Sequence, residues 1–176
     1  MIRRRHILQY PDPRLRIVAT PVVEVNTAVR RLIREMIEIM YAADGIGLAA
    51  TQIDVHQRIV VADVSAARDR PYVLINPVIV ERGGSAAVGE GCLSIPDVYA
   101  RITRAEWITL RALDGVGICR ELSCDGVLAM CLQHELDHLD GTLFIDYLHP
   151  KQFAGLTQTS RAQPRGQRRR PRGSIH

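Results

Sequence analysis

The chain has 176 residues, 47% of them hydrophobic, which supports one domain with a genuine core. No run approaches the roughly 20 apolar residues that cross a bilayer, and the basic start Arg3-Arg4-Arg5 leads into no apolar stretch of signal-peptide length, so a cytoplasmic protein is expected. The net charge of +4 is local: Arg161, Arg165, Arg168, Arg169, Arg170 and Arg172 fall within residues 161–176, and setting those six aside leaves 17 basic against 19 acidic groups.

In chain order, Thr27 is placed to cap a helix running to about Tyr41, with Leu32, Ile33, Met36, Ile37 and Met40 as its apolar stripe. Arg30, Arg31, Arg34, Glu35 and Glu38 fall mostly on the other side, a solvated face. Asp44-Gly45 breaks the pattern. The next segment, Gly45-Ile46-Gly47-Leu48-Ala49-Ala50-Thr51-Gln52, carries the glycine spacing of a dinucleotide fingerprint. That fingerprint should follow a strand and open a helix, whereas this one follows a helix, and residues 51–57 are too few for a crossover of about ten or more. No dinucleotide cofactor is expected; glycines beside a polar Gln52 suit the wall of a substrate site.

Residues 58–64 and 72–76 read as strands, with Pro77 marking a bulge or an edge. Residues 106–113 and 117–123 flank Asp114-Gly115, a hairpin signal. Strands in the middle with helices at both ends give an α+β class: mainly antiparallel sheets packed around a buried metal-binding helix, with an N-terminal amphipathic helix. Residues 1–156 are expected to form the catalytic domain. Residues 157–176, rich in Ser, Gln, Gly, Pro and Arg, are expected to be a disordered tail.

The metal expectation comes from Gln133-His134-Glu135-Leu136-Asp137-His138. At helical spacing His134 and His138 point within about 40° of each other, so two imidazoles share one ion. Glu135 stands beside that ion and can take a proton from its water, the arrangement of the His-Glu-x-x-His motif. The preceding run Gly126-Val127-Leu128-Ala129-Met130-Cys131-Leu132 is apolar all round, so the helix is expected to be buried, capped by Asp125 and ended by Gly141. Buried His and acidic groups are costly unless paired or bound to metal.

A catalytic metal needs a third protein ligand. The segment Gly89-Glu90-Gly91-Cys92-Leu93-Ser94-Ile95-Pro96 offers Cys92, between glycine-rich turns and a proline, where backbone can approach a ligand. A thiolate and two imidazoles leave a fourth position open for water. The other cysteines, Cys119, Cys124 and Cys131, form no C-x-x-C pair, and each reads as a small buried hydrophobe; a disulfide is unexpected in a cytosolic chain.

Together, Gly45–Gln52, Glu90-Gly91-Cys92-Leu93-Ser94 and Gln133–His138 resemble the three signature motifs of the peptide deformylases, in order and spacing, over about residues 3 to 150. The resemblance implies an amidohydrolase that removes the formyl group from the N-terminal formyl-methionine of nascent polypeptides and releases formate. It implies Cys92, His134 and His138 as metal ligands and Glu135 as general base and later proton donor. Gln52 and the backbone N–H of Leu93 would stabilise the oxyanion. Ile46, Val88, Val127, Met130 and Cys131 would line a methionine pocket, while Gly47 and Gly91 would let the substrate backbone lie close. The metal implied is Fe(II), replaceable by Zn(II), Ni(II) or Co(II), and the donor set does not choose among them.

Two departures stand out. Tyr99 occupies a position where many relatives carry arginine, which bears on preference beyond the methionine. The charged C-terminal helix with which relatives touch the ribosome is replaced by residues 157–164 and the arginine-rich tail, which can still hold RNA phosphates in a salt-sensitive way. Two alternative readings carry less. A zinc metallopeptidase shares the His-Glu-x-x-His helix but recruits a later third ligand, and only His149 and His176 follow His138, at unsuggestive spacing. A nucleic-acid-binding module would need aromatic residues interleaved with basic ones outside the tail, and none are so arranged.

Overall fold

The computed structural model describes residues 5–149 and 151–152. The tail at residues 157–176 and its expected disorder lie outside the described residues.

Helix α1 (Thr27–Ala42) opens on Asn26, whose side-chain oxygen accepts from the N–H groups of Ala28 and Val29. The cap is therefore Asn26, one residue before the expected Thr27. Both residue types serve, and the one whose backbone is extended takes the role. Leu32, Ile33, Met36 and Met40 are buried along one face, as the stripe requires.

Five strands form one sheet in the order β1-β2-β3-β6-β7: β1 (Gly47–Ala49), β2 (Ile59–Ala62), β3 (Tyr72–Gly83), β6 (Trp107–Leu113) and β7 (Cys119–Asp125). The remaining strands, β4 (Ala86–Cys92) and β5 (Ile95–Arg104), make a separate hairpin. All of these ladders are antiparallel. The bulge expected at Pro77 is present: register slips between Ile75 and Val78, and Asn76 takes a left-handed φ of 53°. The Asn76 amide pins the kink by exchanging two hydrogen bonds with the Val22 backbone, at 2.8 and 2.9 Å. The strand continues past it to Gly83, further than its apolar run suggests.

β2 is buried on both faces, which is why it reads as a continuous apolar run. Val60 and Ala62 pack with Leu132, Leu136 and Leu139 of helix α2 (Gly126–Leu139), while Ile59 and Val61 pack with Met36 and Met40 of α1. The sheet is thus sandwiched between the helices. A third cluster, with Leu8, Ile95, Ile102 and Phe144, fills the space beside the β4–β5 hairpin.

α2 is buried over most of its length, although Val127 in its first turn is exposed. Asp125 stands at its N-cap position without a side-chain capping bond, so the expected cap is positional only. The chain leaves the helix at Asp140, and Gly141 follows at φ 71°, where an added Cβ would strike the Arg16 carbonyl oxygen at 2.5 Å.

Candidate metal centre and active site

The chemistry-bearing side chains come from three elements. α2 contributes His134 and His138, one turn apart, with ring centroids 5.0 Å apart and planes at 73°. The hairpin contributes Cys92, the last residue of β4. The short 3-10 turn after β1 (Ala50–Ile53) contributes Gln52. Cys92 Sγ lies 3.1 Å from His138 Nε2, and one ligand atom from each of Cys92, His134 and His138 falls within 4.8 Å of the others. The 3.1 Å separation of Cys92 Sγ and His138 Nε2 is one that a single ion, at about 2.3 Å from sulfur and about 2.0–2.1 Å from nitrogen, can bridge.

Burial works against a charge on His134, but hydrogen bonding with Cys92 and Glu90 outweighs it and holds the ring well above its ordinary pKa. His138 is held neutral, well below the ordinary value, by burial and by the charges of His134 and Arg104. A metal that took His134 as a ligand would displace the proton of that ring, while His138, already neutral, offers its lone pair directly. Soft sulfur with two imidazoles is a donor set for a divalent transition metal.

Glu135, 5% exposed, lies on the neighbouring face of α2. Burial pushes its carboxyl up to about 7, and its Oε2 is buried with no hydrogen-bond partner among the described residues. Gly47 makes room for it, since a Cβ there would sit 2.5 Å from Glu135 Oε1 and 2.6 Å from Cys131 Sγ. Gln52 is fixed at both ends of its amide: Oε1 accepts from the Ala49 N–H at 2.8 Å, and Nε2 donates to Ser94 Oγ at 3.1 Å and lies 3.7 Å from Cys92 Sγ. Leu93 and Ser94 form the turn that joins β4 to β5.

Behind the imidazoles stands a network that the sequence did not disclose. His134 Nδ1 lies 2.9 Å from Glu90 Oε2, and Arg104 grips Glu90 through two bonds of 2.7 and 3.0 Å. Arg104 also donates to Asp137 at 2.6 Å, and its guanidinium stacks over the Tyr147 ring at 5.0 Å. Burial alone would raise Glu90, but hydrogen bonds from His134 and Arg104 hold it below the usual carboxylate value. Glu90 and Asp137 sit inside the quoted motifs, yet their roles depend on the β4–β5 register, which aligns Ala86 with Arg104 and Glu90 with Ala100.

A cleft of about 590 Å³ opens onto this centre, and Ile46, Gly47, Gly91, Leu93 and Glu135 line it. Gly89 and Gly91, expected in turns, are strand residues of β4; a Cβ on Gly91 would strike the Tyr99 ring at 2.6 Å. Val88, Val127 and Met130 gather around a second, largely apolar pocket of about 480 Å³ where β4 meets the start of α2. Cys131 is buried, its Sγ 3.5 Å from the Ile46 carbonyl oxygen. The residues expected to bind substrate are thus divided between two neighbouring features of the surface and the core between them.

Comparison with known proteins decides the family. The polypeptide deformylase family model matches residues 4–154. The chain belongs to the polypeptide deformylase family. A deformylase from Legionella pneumophila is 42% identical, with a TM-score of 0.85 over 89% of this chain and 93% of that one. The deformylase of Thermus thermophilus is also 42% identical, with a TM-score of 0.80 over 89% of this chain and 92% of that one. One from Synechococcus elongatus, solved in complex with actinonin, is 39% identical, with a TM-score of 0.81 over 88% and 82%. As a deformylase the chain is a metalloenzyme and a hydrolase that removes the formyl group from the N-terminal formyl-methionine of nascent polypeptides, releasing formate. No helix among the described residues is long and apolar enough to cross a membrane.

Proposed function

We propose that the deformylation centre is built from Cys92, His134 and His138 as metal ligands, with Glu135, Gln52 and Leu93 acting on the substrate. The observation that carries this reading is the convergence of three ligand atoms within 4.8 Å, beside a buried carboxylate oxygen that has no partner among the described residues. A divalent metal held by Cys92, His134 and His138 would supply Lewis acidity, which would lower the pKa of water to about 7.

The side chains do the rest. Glu135, its proton affinity poised near neutrality by burial, accepts the proton of the attacking water as the new C–O bond forms at the formyl carbon. The Gln52 amide N–H and the Leu93 backbone N–H donate to the formyl oxygen as its charge grows. Because the Gln52 amide is already locked by Ala49 and Ser94, little reorganisation is needed when that charge appears. The C–N bond then breaks, and Glu135 returns its proton to the departing amine, leaving formate and a free N-terminus. Gly47 and Gly91 admit an extended substrate backbone, while Ile46, Val88, Val127, Met130 and Cys131 receive the methionine side chain. Amide hydrolysis involves no net oxidation or reduction, so the scheme uses no dinucleotide.

The same reading takes the native ion as Fe(II), with Zn(II), Ni(II) or Co(II) as substitutes, and places the enzyme in the cytoplasm where formylated chains emerge. It divides the chain into a catalytic domain of residues 1–156 and a tail of residues 157–176 that touches ribosomal RNA through its arginines. Deleting residues 161–176 should weaken co-sedimentation with ribosomes at low salt; unchanged sedimentation removes the tail's role. For the centre, formate release from formyl-Met-Ala-Ser, against no cleavage of internal peptide bonds, separates this reading from a metallopeptidase.

A further inference from the structure

The loop at residues 63–71, between β2 and β3, has no part in the scheme above, yet it reaches back to the cleft wall at residues 44–47. Arg68, at a left-handed φ of 54°, donates through Nη1 to the Asp44 carboxylate at 2.6 Å and through Nη2 to the Gly45 carbonyl at 2.7 Å. Its guanidinium also lies over the Tyr41 ring, 5.2 Å from the centroid. The Tyr41 hydroxyl donates to Asp63 at 2.6 Å, and the Asp63 N–H donates to the Ile46 carbonyl at 2.8 Å. Three consecutive wall residues, Asp44, Gly45 and Ile46, are therefore held from one loop and the helix end beside it.

On its other side Gly45 meets the opposite wall. A Cβ on Gly45 would lie 2.6 Å from Leu93 Cδ1, a side-chain atom, so the two walls of the groove approach closely at this point. We propose that Arg68 is a positioning residue, which sets the stance of the Gly45–Gly47 wall and so the width of the groove that receives the formylated peptide. This rests on the deformylase centre described above, because the groove is the one beside Cys92 and Glu135.

A salt bridge as exposed as Arg68–Asp44 adds little to stability by itself. The strap's effect is geometric: one planar guanidinium serves a carboxylate, a carbonyl and an aromatic face together, and lysine cannot. Because Arg68 touches neither Glu135 nor Gln52, its loss weakens binding of substrate and transition state equally, which raises KM and spares kcat.

The test is steady-state deformylation of formyl-Met-Ala-Ser by the metal-loaded wild type, Arg68→Ala, Arg68→Lys and Asp44→Asn, with amide hydrogen exchange on the same proteins. Arg68→Ala should raise KM about three- to tenfold, the range of one hydrogen bond to a carbonyl or charge, with kcat and metal content retained. Arg68→Lys should recover only part of the loss. Asp44→Asn, whose backbone φ of 59° suits asparagine, should shift KM the same way and keeps the test alive if Arg68→Ala folds poorly. Exchange should quicken at Ile46 and Gly47 but not in α2. Wild-type KM and exchange in both Arg68→Ala and Asp44→Asn would overturn the proposal, as would a joint fall of kcat and α2 protection. Failure of the metal-loaded wild type to release formate would instead strike the centre, and the exchange data would still judge the strap.

Discussion

Glu135 shows how one side chain is tuned by its place on a helix. Its neighbours His134 and His138 turn toward Cys92, while its own carboxyl lies against Gly47 in a pocket dry enough to lift it to about 7. Replacement by alanine should leave the metal bound, since the ligands are untouched, and cut kcat by at least about a hundredfold, the usual worth of a positioned proton acceptor. Retained turnover with metal present would contradict the assigned role. Gln52→Ala should likewise keep metal and lower kcat about 10²–10³-fold, as removal of one oxyanion donor does elsewhere. The two histidines and Glu135 are legible in sequence because helical spacing is fixed. Cys92 is less so: only its motif, not any periodicity, joins it to a helix that begins more than thirty residues later. Glu90 and Arg104 escape a linear reading altogether, because an ion pair across two strands exists only once their register is known.

Among the elements, α1, β2, the β6–β7 hairpin and α2 are written in plain periodicities, and each is found within a residue or two of its expected ends. The β4–β5 hairpin is not, since residues 86–104 mix glycines, prolines and charges without alternation. It is nevertheless the element that carries Cys92 and reaches α2 through Glu90 and Arg104. Glu90→Gln should therefore weaken metal affinity about 10–100-fold, the usual effect of removing a partner behind a ligating histidine, as read by chelator competition. Arg104→Ala leaves Glu90 buried without its cation and should cost about 3–5 kcal/mol in urea unfolding. A loss under about 1 kcal/mol, the range of an exposed pair, would show that the network is dispensable. Leu132→Ala, at the centre of the α2–sheet contact, should cost about 2–5 kcal/mol by the same measurement.

For the whole molecule, the layer order follows from β2 being apolar on both faces, which demands a helix on each side. The sequence places one helix before the strands and one after them; only the structure says that they cover opposite faces. The loop at residues 63–71 adds a dependence on pH. Burial alone would raise Asp63, but hydrogen bonds from Ser65, Tyr41 and Arg70 prevail and bring its carboxyl down to about 2. Its unfolded value is about 3.9, so the folded state binds the proton less readily. The stabilisation is fully present above about pH 4 and is lost as pH falls through about 2. Asp63→Asn should flatten that part of the stability curve, measured by urea unfolding between about pH 5 and about pH 2.5; an unchanged slope would remove Asp63 as its source.

Metal content and formate release, measured on the same anaerobic samples before and after chelation, bear most directly on the central claim that Cys92, His134 and His138 close on one ion. Wild type should carry about one equivalent of divalent metal per chain, lose activity with it, and regain both on adding Fe(II) or Co(II). Cys92→Ala and His134→Ala should show neither metal nor turnover. A stoichiometric ion in Cys92→Ala, or full formate release from chelated wild type, would contradict the account.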